Sequence, residues 1–364
     1  MHWVCHVVLS GAAFLAHEPT QSTSPPAKKP TRSAIAVPKP SEPSPASTKA
    51  SAPVDKRPAA MVDGVAISVA EVNQEVAKVL SEDAVAPDVT ALLQAQALAQ
   101  LIDRRLILRN LSRTKVAADP REVDVMVQRL VKQLEPRKIP LEEYLRGQGI
   151  DESGLRHQIT WRLSWGRYLE RYLSDENLAR YFEQHRREFD GSRVRVAHIL
   201  LKPRAAGDVD GKGEADKAGW TETLDKAKQL REKIVAGELT FEAAAKQHSA
   251  APTAAQGGDI GLIGRREPMP ESFSKAAFAL EKDQISPPVA SAFGVHLIRC
   301  LEIQPGQGQW SDSRDELEKA VTQYLFRWLA DKERTSAKVE FTGATPHFRP
   351  GTEEVAPATA SPAP

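Results

Sequence analysis

Cysteine is scarce: the 364-residue chain has two, Cys5 and Cys300. Two cannot make a disulfide framework or a zinc-type cluster, so neither is expected to hold the fold. Cys300 falls among apolar residues of a strand and is expected to be a small buried hydrophobe. An excess of charge of one sign is missing too. The chain has 49 Lys plus Arg against 48 Asp plus Glu, so no net field argues for nucleic acid or an anionic membrane as a partner. No internal apolar run approaches the ~18–20 residues of a spanning helix, and no transmembrane span is expected in the mature chain. No cofactor is expected. Gly257-Gly258-Asp259-Ile260-Gly261 is glycine-rich, but no glycine-spaced helix start follows it as in a nucleotide loop; those glycines are expected to supply turn dihedrals. His198 and His296 lack an obvious third ligand, so no metal site is expected.

The chain is long enough for two domains with cores of their own. Within residues 1–16, a possible signal segment, Trp3 to Ala16 is apolar and ends in small residues before a polar stretch, as the core of a secretory signal does, although no Lys or Arg stands before Trp3. The alternative is an N-terminal stretch without a targeting role. Residues 17–60 contain ten prolines and few large apolar side chains, so a disordered, extended linker is expected.

Residues 61–190 read as a mostly α-helical domain. Val62-Asp63-Gly64-Val65 is a hairpin turn between short strands, and Ser68-Val69-Ala70-Glu71 is a capping box. A long helix over 89–111 carries Leu92, Leu93, Leu98, Leu101, Ile102, Leu106 and Leu108 as its apolar stripe. Further helices start at Asp119-Pro120, at Ile139-Pro140-Leu141 and after Asp151. On the last of these Trp161, Trp165, Tyr168 and Tyr172 share a face, either as core or as the wall of a groove for client segments. One more helix is expected over 177–189.

Residues 191–304 change period. Val194 to Leu201 alternates, so Val194, Val196, His198 and Leu200 share a face; on the closing strand His296, Ile298 and Cys300 share one. Between them come a helix over 223–235, a short helix capped by Thr240, the glycine-rich turn, and a helix over 272–280. The order is strand, helix, helix, turn, helix, strand, strand. An α+β fold is expected, an antiparallel sheet with surrounding helices joined to the helical domain. A helix over 312–332 with Leu317, Val321, Leu325 and Leu329 spaced by four, then a short strand at 338–341, make up a segment (305–342) that needs an apolar partner. The Pro-Ala-Thr-rich residues 343–364 are expected to be a disordered tail.

His198-Ile199-Leu200-Leu201, Gly257-Gly258-Asp259-Ile260-Gly261, Ser272-Phe273-Ser274-Lys275-Ala276-Ala277-Phe278, Ile285-Ser286-Pro287-Pro288-Val289 and Phe293-Gly294-Val295-His296 occur in the order and spacing of a parvulin domain. The segment resembles the parvulin family of peptidyl-prolyl cis/trans isomerases. Residues 61–190, with a helix ending Leu101-Ile102-Asp103-Arg104-Arg105-Leu106, resemble the N-terminal part of SurA- and PrsA-type folding factors. The resemblance implies that 305–342 packs back on that part. It also implies export to the periplasm or another extracytoplasmic space, and clients that are unfolded polypeptides containing Xaa-Pro.

The resemblance places Met269 and Phe273 in the cup for the proline ring, Ile260 on the opposing wall, Phe293 at the substrate, and His198 and His296 as the paired histidines of the catalytic floor. This chain departs from the family where a Cys or Asp usually faces the susceptible bond, since Ala250 or Ala251 stands there and Ser249 is the nearest polar residue. Phosphate recognition is not expected, because Lys202, Arg204, Lys212 and Lys217 are balanced by Asp208, Asp210, Glu214 and Asp216. Two functions follow as alternatives: a prolyl isomerase and folding factor for exported or outer-membrane proteins, or a holdase whose parvulin domain binds peptide with little or no catalysis.

Overall fold

The computed structural model describes residues 54–80, 87–204, 217–352 and 354–359. The expected signal segment, residues 17–53 of the linker and the charged side chains of 208–217 lie outside the described residues. Strands β1 (Pro58–Val62) and β2 (Val65–Ser68) pair antiparallel. Asp63 and Gly64 between them have φ of 48° and 81°, as a two-residue hairpin turn requires. Pro58 to Ala60 therefore belong to a strand rather than to the linker. Ser68 and Glu71 cap each other's backbone at the start of α1 (Val69–Ala77).

Helix α2 (Pro87–Arg113) serves two cores. Leu98, Leu101, Ile102 and Leu106 pack with Ala60, Val62, Ile67 and Val72; Ile107 and Leu111 pack with helices later in the chain. Leu92, expected in the stripe, is 40% exposed. Its neighbour Leu93, about 100° around the helix, packs against the first core instead. Asp119 and Glu122 form a capping box for α3 (Pro120–Leu134). After α4 (Leu141–Gly147), the Asp151 side chain accepts from Gly154 N at 2.9 Å and starts α5 (Glu152–Tyr172). On α5 the rings of Trp161, Trp165, Tyr168 and Tyr172 lie against one another in turn, with centroids 5.3, 5.4 and 4.5 Å apart. Phe326 stands edge-on to both tryptophans at 5.9 Å. Tyr168 is core, whereas the tryptophans are half-buried. The helix expected over 177–189 is interrupted at His185 (φ −124°), giving α6 (Asp175–Gln184) and α7 (Arg186–Phe189).

Next come β3 (Arg193–Leu201), α8 (Lys217–Val235), α9 (Phe241–His248), β4 (Asp259–Gly264), α10 (Glu271–Phe278), β5 (Val289–Ser291) and β6 (Gly294–Gln304). The strands form one antiparallel sheet in the order β4-β3-β6-β5. The fold is α+β, as the change of period implied. Ile285 to Pro288 precede β5 rather than forming part of it, and Ile285 makes a single bridge to Arg299. Alternation separates the two faces of the sheet. Ala197, Ile199, Val295 and Leu297 pack on α8 and α9. Val194, Val196, Ile298 and Cys300 pack on Phe273, Ala277 and Phe278 of α10. Cys300 is fully buried, as expected of a small hydrophobe.

Helix α11 (Arg314–Arg334) buries Leu317, Val321, Leu325 and Leu329 against Ile107, Leu111 and Phe182. Strand β7 (Val339–Phe341) pairs antiparallel with β1, completing a sheet in the order β2-β1-β7. The expectation of a disordered tail from 343 onward is corrected for 343–352 and 354–359. There β8 (His347–Phe348) pairs with β9 (Val355–Ala356), and the His347 ring stacks on Phe341 at 4.3 Å. Composition alone counted too few apolar side chains in this segment for a core of its own. It uses one already built, since Ala344 packs against the first cluster. Among the described residues no helix is long and apolar enough to cross a membrane.

A polar latch joins α11 to α2. Glu333 is 3% exposed, and its Oε1 accepts from Asn110 Nδ2 and from the Arg113 guanidinium, both at 2.8 Å. Glu333→Ala leaves the buried Asn110 amide without this acceptor. It is expected to lower the unfolding free energy by about 1–3 kcal/mol, read from the denaturant midpoint of the full chain. An unchanged midpoint contradicts the latch.

Candidate functional site

The site is built on the face of β3 and β6 that α10 covers. Leu200 lies opposite His296 and His198 opposite Ile298, so the two histidines are diagonal neighbours on one face, within reach of each other. Their rings are nearly parallel, 16° apart, with Nδ1 to Nδ1 at 3.4 Å. Phe273 is fully buried and presents itself edge-on to both, 5.5 Å from His198 and 5.2 Å from His296. Ile260 and Met269, both partly buried, pack against the same cluster. Five of the residues singled out from sequence therefore converge. Phe293 does not join them: it is 65% exposed at the tip of the β5–β6 turn.

The glycine-rich turn accounts for part of this placement. Gly258 O accepts from His198 N at 2.9 Å. Gly258 has φ +84°, and a Cβ there would lie 2.3 Å from His198 O. Only glycine allows this approach. Asp259 Oδ1 accepts from Gly261 N at 2.8 Å, and its other oxygen pairs with Arg195 at 2.6 Å. These bonds hold the turn that delivers Ile260.

Burial, and after it the neighbouring His198, push His296 down to about 4. Burial also holds His198 below its ordinary value. Both rings are thus neutral near pH 7, and a neutral pair can share one proton only if one Nδ1 donates and the other accepts. A residue that the sequence reading missed closes the chain. Ser291 Oγ lies 2.7 Å from His296 Nε2 and accepts from Phe293 N at 3.1 Å. Whichever way the Ser291–His296 bond runs, the two imidazoles carry opposite tautomers. The available signal was Ser291 five residues before His296, across a tight turn.

The sequence reading put the departure from the resembled family at Ala250 or Ala251. Ala250 is exposed, with its N–H donating to Leu200 O at 2.8 Å, and Ala251 is buried. Ser249 Oγ turns to the backbone, accepting from Leu200 N at 3.0 Å and Ala251 N at 3.2 Å. Its hydroxyl fastens the end of β3.

Residues 198–302 match the family described as rotamase, the PPIC-type PPIase domain. The chain is 40% identical over 124 residues to the chaperone SurA of Polaromonas sp., covering 34% of this chain and 24% of that one. It is 30% identical over 149 residues to the foldase protein PrsA of Bacillus subtilis, covering 41% of each. It thus spans less than half the length of these curated relatives. A crystal structure of the peptidylprolyl isomerase PrsA from Bacillus anthracis aligns at 21% identity over 65% of this chain and 95% of that one, with a TM-score of 0.32.

Because the folded pKa of His296 lies below the unfolded value of about 6.5, the unfolded chain takes up this proton first. The pair's contribution to stability is then complete above about pH 6.5 and is lost as pH falls toward about 4. Denaturant midpoints measured across this range should fall more steeply for the wild type than for His296→Asn. Imidazole NMR should show His296 protonating near the lower limit. Equal slopes, or a His296 resonance titrating at the ordinary value, contradict the assignment.

Proposed function

We propose that this chain is an exported peptidyl-prolyl cis/trans isomerase and folding factor. In this reading its rotamase domain turns Xaa-Pro bonds of unfolded client polypeptides, and its helical part holds the clients. The observation that supports it most is the convergence of Ile260, Met269 and Phe273 on a neutral histidine pair. The reaction breaks no covalent bond. Its barrier of ~18–20 kcal/mol is the resonance lost when the amide twists. A catalyst therefore needs an apolar hollow for the proline ring and dipoles that suit the twisted amide. In this proposal Met269 and Phe273 hold the ring and Ile260 closes the opposite wall. His198 and His296, tied by Ser291, form an oriented floor that carries no charge. Phe293 borders the entrance. Export, and clients that include outer-membrane proteins, rest on similarity to proteins named as chaperone SurA and foldase PrsA.

A second reading, a holdase with a weakly catalytic rotamase domain, is favoured by two observations. Ala250 and Ala251 carry no polar side chain where the resembled family usually has one, and Trp161 and Trp165 leave some aromatic surface exposed on α5.

Isomerisation of a short Xaa-Pro peptide by the full chain, followed by NMR exchange, separates the two readings. The wild type should accelerate exchange, and Phe273→Ala should lower kcat/KM by about tenfold or more, ~1.4 kcal/mol of transition-state stabilisation. A wild type that leaves the uncatalysed rate unchanged, but suppresses aggregation of an unfolded outer-membrane protein, is the holdase outcome.

A further inference from the structure

Helix α10, which carries Phe273, has eight residues, well below the length at which an isolated helix persists in water. It also lacks a side-chain cap at its N-terminus. Pro270 at its N-cap makes no side-chain cap hydrogen bond; at the other end Ala279 N and Leu280 N serve the carbonyls of Lys275, Ala276 and Ala277, which leaves Phe278 O for another donor. Helix α7, a four-residue segment outside the matched residues 198–302, reaches the C-terminal end directly and the first turn through Arg265.

At the C-terminal end, the Arg187 guanidinium donates to Leu280 O at 2.6 Å and Phe278 O at 3.3 Å, and pairs with Glu281 at 2.9 Å. A cation donating to the carbonyls there also opposes the negative end of the helix dipole. At the N-terminal end, Glu188 accepts from Arg265 Nε at 3.1 Å. The same guanidinium grips Glu271, in the first turn of α10, through two bonds of 2.9 and 2.6 Å. Arg265 is largely buried, with 14% of its side chain exposed. The adjacent Arg266 donates to Glu188 O at 3.2 Å and lies over the Phe189 ring.

Helix α7 is itself held by the helical core. Phe189 is buried in the cluster that contains Phe182, Leu317 and Val321, and Phe189 O accepts from Ser313 Oγ at 2.7 Å. One short segment thus ties the helix bearing the proline cup, at both ends, to the helical core.

We propose that Arg187 and the Glu188–Arg265–Glu271 chain are positioning residues of the rotamase site. The helical part of the molecule, through α7, sets where Phe273 stands over the histidine pair. The inference rests on the isomerase reading above. Because a proline cup binds planar and twisted forms alike, loosening it costs substrate binding more than turnover. A merely structural role would instead lower the fraction of folded enzyme, and so apparent kcat at constant KM.

The test uses the full chain with Arg187→Ala, Glu188→Ala, the milder Glu271→Gln and the conservative Arg187→Lys. Two readouts are taken: steady-state isomerisation of an Xaa-Pro peptide, and anisotropy of the same peptide carrying a fluorophore. Both alanine variants should raise KM and Kd several-fold with kcat nearly unchanged. Glu271→Gln should do so to a smaller extent, and Arg187→Lys should recover most of the loss, since an ammonium still serves one carbonyl. Wild-type KM and Kd in both alanine variants, or a fall in kcat alone, overturn the inference. A wild type that binds the peptide without turning it over removes the isomerase reading, and Kd then decides the positioning role. A wild type that does neither overturns both.

Discussion

Two imidazoles 3.4 Å apart cannot both carry a proton on the facing nitrogens, and burial makes even one cation costly. The pair is therefore neutral, and much of the surrounding architecture serves to keep it so. The histidines must occupy the same face of two neighbouring strands. A register slip of one residue would turn one of them to the other side of the sheet. An irregularity between Arg195 and Val196 reconciles the two strands: Val194 lies opposite Ile303 before it, and Val196 opposite Cys300 after it. All four side chains then face the cluster that contains Phe273. The ring of Phe273 keeps water from the pair, and Ser291 anchors the outer nitrogen of His296.

In the proposed function the site would act by shape and by fixed dipoles, so its accuracy would depend on what holds its walls. The strands supply the floor with a continuous ladder of backbone bonds. The wall on α10 is one short helix packed on that floor without a side-chain N-cap, and the bonds from α7 add to its support. Behind α7 lies the core that α2, α6 and α11 share, and α2 continues from there into the small sheet where β7 returns to β1. Strands β1 and β7, which lie on either side of the β3–β6 segment in the chain, pair in that sheet.

Much of the fold was legible because its signals are local. The Asp63-Gly64 turn, the caps at Ser68, Asp119, Asp151 and Thr240, and the alternation in β3 and β6 each depend on a few adjacent residues. Counting by twos was enough to put His198 and His296 on one face each. Composition was a poorer guide at the C-terminal end. It reports whether a segment can bury itself, not whether it will find a surface built by others, as β8 and β9 do. The helix over 177–189 was misjudged for a similar reason, since nothing in its pattern marks the turn at His185.

What the sequence by itself determined was the class of fold and which side chains lie on which face, because strand and helix periods are properties of neighbouring residues. Which residues meet across the molecule was decided only by the tertiary structure. Ser249 was the nearest polar residue to the missing group, and the fold gave its hydroxyl to the backbone of β3. Ser291 stood unremarked, and the turn brought it to His296. Arg187 and Glu188 belong to a segment with no catalytic pattern, yet closure of the domain sets Arg187 at the C-terminal end of α10 and links Glu188 to its first turn through Arg265. Such contacts join residues up to about ninety positions apart, and no local period carries information over that distance.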